Sequence, residues 1–99
     1  MSWKVKIHPL VVKEDLKEID PPQVRKIIKA IEQRLGSQPK EYGEPLSGAF
    51  RHYWKLRVGD YRVIYEIVEN KILVLVVKIG LRRDAKVYDE FFNRLKKLS

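Results

Sequence analysis

Residues 3–7 alternate apolar Trp3, Val5 and Ile7 with Lys4 and Lys6, the period-two pattern of a strand with one buried face. His8-Pro9 ends the alternation, and Pro9 suits the first turn of a helix. Leu10, Val11, Lys13, Glu14, Leu16, Lys17 and Ile19 then follow helical spacing. Asp20-Pro21-Pro22 breaks that helix, and Asp20 is expected to cap a second one with Pro21 at its first position. Val24, Ile27, Ile28, Ile31 and Leu35 form an amphipathic stripe, and Gly36 is the expected stop. With almost no linker between them, the two helices should form an antiparallel hairpin.

Residues 36–50 are rich in Gly, Pro and Ser and read as a loop, with Leu46 as its anchor into the core. From residue 52 the period becomes two. Trp54, Leu56 and Val58 alternate with Tyr53, Lys55 and Arg57, and Gly59-Asp60 supplies a tight turn. Residues 61–68 form a second strand, Glu69-Asn70 a second turn, and residues 71–79 a third strand. This third strand is apolar on both faces and therefore central. Asp84 or Asp89 is expected to open a last helix carrying Val87, Phe91, Phe92 and Leu95. Its basic end, residues 94–97, suits the helix dipole. The expected fold is α+β in one domain, residues 1–99. A small antiparallel sheet, a three-stranded meander plus the N-terminal strand, carries an N-terminal helical hairpin and a C-terminal helix. The first strand joins the meander at its edge or in its middle.

Charge sharpens this picture. The chain has 21 Lys+Arg against 13 Asp+Glu, a net charge of +8. Residues 1–50 hold 9 basic and 7 acidic side chains, net +2, and residues 51–99 hold 12 and 6, net +6. The half with the meander thus carries most of the excess, which favours nucleic acid or an acidic protein as partner over a merely solubilising surface. The absence of cysteine excludes a disulfide scaffold and a thiolate metal site. The start of the chain shows no apolar signal segment, and the longest apolar run, residues 72–77, is far short of a membrane span. A cytoplasmic protein without membrane contact is the expectation.

The candidate chemistry lies in residues 53–65, YWKLRVGDYRVIY, and 80–88, GLRRDAKVY. Tyr53, Lys55 and Arg57 share one strand face, and a tight hairpin brings Arg57 near Arg62. Arg82 leaves the third strand just after Gly80, and Tyr88 follows six residues later. Clustered like charges cost stability unless an anion neutralises them, and the arginine fork matches a phosphate with two hydrogen bonds. The competing explanation pairs these arginines with Glu66, Asp60 or Asp84. A lysine or tyrosine among arginines is expected to ionise at lower pH, closer to use as a base. His8 and His52 read as structural; they lie far apart with no acidic pattern around them, so no metal site is expected. Trp3, Trp54 and Tyr65 fit the core. Phe91 and Phe92 pack the last helix or offer a docking surface for a partner helix.

Leu46-Ser47-Gly48, the block 53–65, Lys78-Ile79-Gly80, Arg82 and Val87-Tyr88 together resemble the RelE/ParE toxin superfamily, and within it the RelE branch, over almost the whole chain. The resemblance implies a RelE-like fold and a toxin of a type II toxin–antitoxin system. RelE-type toxins are metal-independent, ribosome-dependent endoribonucleases that cut mRNA in the ribosomal A site by 2′-OH attack on the phosphodiester. They bind a cognate acidic, RelB-like antitoxin with a wrapping helix, and reach operator DNA only through that complex; no cofactor is implied. By position, Arg62 matches the transition-state arginine, Arg82 the second phosphate-binding arginine, Tyr88 the base-stacking tyrosine and Lys55 the catalytic lysine. Arg57, Arg51, Tyr53 and Arg83 are the implied RNA contacts. Tyr53 stands where studied members have a second lysine, Leu81 where many have histidine, and Ser47 where some have arginine, so the general base stays open. The alternatives are a ParE-like inhibitor of DNA gyrase without nuclease activity, or a degenerate antitoxin-binding protein.

Overall fold

The computed structural model describes residues 2–82 and 86–98. Strand β1 (Lys4–Ile7) is followed by helix α1, residues 9–18, which is wound wide over Val11–Asp15 and tight over Leu16–Glu18. Helix α2 covers residues 21–35 and buries Ile27, Ile31 and Leu35. Asp20 does occupy the position before α2 with Pro21 at its start, but its side chain makes no capping hydrogen bond. Gly36 ends α2 in right-handed conformation (φ −72°), unlike a left-handed glycine cap. The stop comes instead from the Ser37 hydroxyl, which donates to Gln33 O at 2.7 Å. The Gly36 carbonyl accepts from Trp3 N at 2.8 Å and docks β1.

The expected loop 36–50 contains structure. It holds the short helix α3 (Pro39–Tyr42), strand β2 (Glu44–Pro45) and a tight turn over Gly48–Phe50. Then come β3 (Tyr53–Val58), β4 (Tyr61–Val68), β5 (Leu73–Leu81) and helix α4 (Lys86–Leu98). The second turn is longer than the two residues expected: Glu69–Lys71 make a tight helical turn and Ile72 is left-handed (φ 49°), which moves β5 two residues along. Helix α4 starts at Lys86, with Asp89 inside its first turn rather than capping it. Asp84 lies outside the described residues.

The sheet order is β1-β5-β4-β3-β2. The meander is antiparallel as expected, and β1 takes the edge beside β5, in parallel. Alternation gives the sheet two apolar faces. Leu56, Val58, Val63, Tyr65, Val74 and Val76 meet the buried stripe of α1 and α2. On the other face Ile64 and Val77 meet Val87 and Phe91 of α4, with Leu46, Phe50 and Tyr53 around them. Burying a ring such as Phe91 contributes about 1.5–3 kcal/mol. Phe92, expected to pack with it, is exposed and makes a T-shaped ring contact with Phe50 at 5.8 Å.

Strand β1 ends opposite Val76, so β5 continues past it with a free edge. There Asp15 of α1 and Arg94 of α4 take the place of a neighbouring strand. Ile79 N donates to Asp15 Oδ2 at 2.9 Å, and Arg94 Nη1 donates to Val77 O at 3.1 Å. Both arginine nitrogens also reach the Asp15 carboxylate at 2.7 Å, and Lys78 Nζ reaches it at 3.0 Å. Burial works to lower the Arg94 pKa, but the hydrogen bonds and charges of Asp15 and Glu14 outweigh it and hold the guanidinium protonated. Arg94 is thus a buried anchor of α4 rather than part of a solvated basic end.

Candidate functional site

The α4 helix is too short to cover its whole sheet face, and the uncovered part is basic. Arg57 and Arg62 are direct cross-strand partners at the turn end of β3 and β4. Like charges opposite each other are destabilising. Arg62 also lies beside Gly80 of β5. A Cβ at Gly80 would press on Val87 at 3.1 Å, so glycine lets α4 come down close to the strand. That approach brings Tyr88 over Lys55, whose Nζ is 6.0 Å from the ring centroid. Gly59 turns the hairpin in the left-handed region (φ 57°), which a side chain would strain. Arg82 N donates to Asp60 O at 3.0 Å, tying the end of β5 to this turn.

The result is a cleft of about 290 Å³ lined by Lys55, Arg57, Arg62, Arg82 and Tyr88, with Tyr42 and Glu44 on its far wall. A second recess shares the three arginines and continues around Gly59 and Asp60. Arg62 is 6% exposed, yet its Nη1 donates only to backbone carbonyls, Gly59 O at 3.2 Å and Tyr61 O at 3.0 Å. Of its five N–H donors, those on Nε and Nη2 have no protein acceptor among the described residues. Nor does any described carboxylate pair with Arg57, Arg62 or Arg82, so Glu66 and Asp60 do not neutralise them. Among the described residues the cleft's one ion contact is Lys55 to Glu44, at 4.0 Å.

Five residues singled out from the sequence therefore meet: Lys55, Arg57, Arg62, Arg82 and Tyr88. Two do not. The Tyr53 ring packs edge-on against Phe91 at 4.8 Å in the second core. Burial, and then the charge of Glu66, push its pKa up, so Tyr53 is no base near neutral pH. Arg51 lies in the turn before β3, with about 13 Å of strand from Tyr53 to Arg57 separating that turn from the cleft end. Arg83 lies outside the described residues.

Tyr42 and Glu44 were missed because they sit in a stretch that reads as loop. Only the pairing of Glu44 with Lys55 across β2 and β3 carries that stretch to the cleft. His8 is structural, accepting a hydrogen bond from Leu10 N at Nδ1 (3.1 Å). Among the described residues no group of three or more His, Asp or Glu is placed to hold a metal ion. No described helix is long and apolar enough to cross a membrane.

The family model described as "ParE toxin of type II toxin-antitoxin system, parDE" matches residues 5–86. A relative from Methanocaldococcus jannaschii named RelE1 is 32% identical over 88 residues, spanning 86% of this chain and 96% of its own. The mRNA interferase toxin RelE of Escherichia coli K12 is 37% identical, but only over 41 residues, so the match spans 43% of that relative's length. Among solved structures, the toxin–antitoxin complex RelBE2 of Mycobacterium tuberculosis aligns with a TM-score of 0.78 at 21% identity, over 85% of this chain and 95% of that one. The archaeal RelE–RelB complex of Pyrococcus horikoshii gives 0.65 at 26% identity, over 86% and 100%. The family model's match runs from β1 through the meander to the start of α4, and by it and the M. jannaschii relative the chain belongs to the RelE/ParE toxin superfamily of type II toxin–antitoxin systems.

Proposed function

We propose that this toxin cleaves mRNA in the ribosomal A site. The observation that carries the reading is the buried Arg62, set against Arg57 and beside Arg82 with no described carboxylate to neutralise the three. Such a cluster is stabilised by a phosphodiester, and more strongly by a phosphorane that carries additional negative charge. In the proposed step the ribose 2′-oxygen bonds to phosphorus, the bond to the 5′-oxygen breaks, and a cyclic phosphate and a 5′-hydroxyl result. The 2′-OH proton goes to a base and a proton returns to the leaving oxygen. With Tyr53 packed against Phe91 away from the cleft, the cleft groups able to exchange a proton are Lys55, Tyr42, Tyr88 and Glu44. We assign the base to Glu44, the carboxylate that lines the cleft. Tyr88 stacks on a base of the substrate, and the ribosome aligns the strand for in-line attack. The reaction takes place in the cytoplasm, and an acidic RelB-like antitoxin silences it. Operator DNA is met only through that complex.

A second reading has its own support, since the matching family model carries the ParE name. It makes the chain a gyrase poison without nuclease activity. Primer extension on a defined mRNA in a cell-free translation system separates the two. A-site cuts that vanish in Arg62→Ala and Arg82→Ala support the nuclease. Intact mRNA together with inhibited supercoiling supports the ParE reading and refutes the nuclease.

A further inference from the structure

The wall of the cleft opposite α4 is more rigid than a loop has reason to be. The Tyr65 hydroxyl, buried in the core, donates to Pro39 O at 2.6 Å and pins the start of α3. At its other end Gly43 lies against the same hydroxyl: a Cβ there would fall 1.7 Å from Tyr65 Oη and 3.0 Å from Lys55 O. Glu44 and Pro45 pair with Lys55 and Trp54, and Leu46 N donates to Tyr53 O at 2.9 Å. Lys40 is ion-paired with Glu69 across to the end of β4. The segment is held at both ends, and between the two clamps Tyr42 stands 52% exposed, lining the same cleft as the arginines.

A large aromatic ring left half in water, on a backbone fixed from several sides, is an arrangement suited to contact. Such rings bind with little further loss of conformational freedom. Beside phosphate-binding cations the matching chemistry is a nucleobase, since every base has a π-face and single-stranded RNA is recognised by aromatic stacking. Tyr42 enters from the β2 edge of the sheet, and Arg82 from the end of β5. Three inter-strand spacings, about 14 Å, separate β2 from β5. That span accommodates a phosphate on the arginines with a neighbouring base at the β2 edge.

We infer that Tyr42 is a nucleobase-stacking platform for the single-stranded RNA whose phosphate the arginines hold. It forms the cleft's second aromatic wall, apart from Tyr88. The inference rests on the RNA-cleaving reading. It predicts that affinity depends on the base next to the scissile phosphate and that this dependence passes through Tyr42.

The test measures Kd for ribosomes programmed with an mRNA whose cut position carries a 2′-deoxy residue, which removes the attacking hydroxyl. Wild type, Tyr42→Ala, Tyr42→Phe and Tyr42→Trp are compared, with thermal melts to verify folding. Each is also titrated against mRNAs with one abasic nucleotide, placed in turn on either side of the cut. Tyr42→Ala should bind about 5- to 140-fold more weakly, with Phe and Trp near wild type. One abasic position should weaken wild type by a similar factor and add nothing in Tyr42→Ala. If Tyr42→Ala binds as wild type does, or if Tyr42→Phe is as weak as Ala, the stacking role is wrong. The same holds if the abasic and Ala effects simply multiply. Wild type that neither binds programmed ribosomes nor cuts normal mRNA brings down the RNA-cleaving reading and this inference with it. Cutting that survives Tyr42→Ala at unchanged affinity removes only the inference.

Discussion

Replacing Asp15 with alanine should cost this domain a large share of its stability. The Asp15 side chain is 2% exposed and receives Lys78 Nζ, Ile79 N and both terminal nitrogens of Arg94, each within 3.0 Å. Its removal leaves Arg94 and Lys78, with side chains 5% and 7% exposed, without their shared buried partner. Arg94 keeps only the half-exposed Glu14 and the Val77 carbonyl, and Lys78 keeps only Glu90 at 3.5 Å. It also leaves the Ile79 N–H bare on the free edge of β5. Removing one member of a buried pair costs about 3–5 kcal/mol, against a total of roughly 5–15 kcal/mol for a domain of this size. Urea unfolding followed by tryptophan fluorescence should show that loss as a fall in midpoint at unchanged slope. Asp15→Asn should fall most of the way, because it keeps the volume but not the charge. Swapping Asp15, Lys78 and Arg94 together for apolar residues of similar volume should recover much of the loss, since a buried ion cluster is often no better than packed hydrocarbon. A loss below about 1 kcal/mol for Asp15→Ala would refute the view that this network secures the β5 edge and α4.

Three further outcomes are expected. Arg82→Ala and Arg62→Ala should abolish toxicity in cells and leave the far-UV circular dichroism unchanged; toxicity equal to wild type at matched expression sinks the phosphate role. Glu44→Gln should slow single-turnover cleavage by about 10²–10⁴-fold without weakening ribosome binding, and a rate within a few-fold of wild type takes Glu44 out of proton transfer. Burial pushes the Tyr65 hydroxyl well above its ordinary pKa of 10.0. The folded state therefore keeps a proton that the unfolded state releases, and stability falls as pH rises past that value. Tyr65→Phe should cost about 1–3 kcal/mol at neutral pH for the unpaired Pro39 carbonyl. Its deficit should narrow between about pH 9 and 11, and urea midpoints that stay parallel across that range contradict the assignment.

The elements with strong periodicity were legible in the residues alone. Period two marked β1 and β3, the flanking turns marked β4, a continuous apolar run marked β5, the Val24–Leu35 stripe marked α2, and Gly59-Asp60 marked the hairpin that makes Arg57 and Arg62 neighbours. Local spacing reports such features because a strand or helix buries one face whatever it packs against. Arg62, Arg82, Lys55 and Tyr88 stood out for the same reason: their places on those elements follow from counting along the chain.

What counting does not reach is where the edges of the sheet meet other segments. Residues 36–50 have no period, so the strand pairing that carries Tyr42 and Glu44 to the cleft was invisible; it exists because Tyr65, from the core, holds Pro39 and leaves room only for glycine at 43. Arg94 read as part of a basic helix end, and no local pattern singled out Asp15. They are buried because β1 stops opposite Val76 and the bare edge of β5 must find donors and acceptors elsewhere. Tyr53 shares a strand face with Lys55 and Arg57, yet α4 covers the part of the face where Tyr53 sits and leaves the rest open. The sequence by itself determined the strands, the helices and the basic face. Only the tertiary structure decided which part of that face stays open as a cleft and what forms its far wall, because helix length and sheet-edge pairing depend on contacts between residues far apart in the chain.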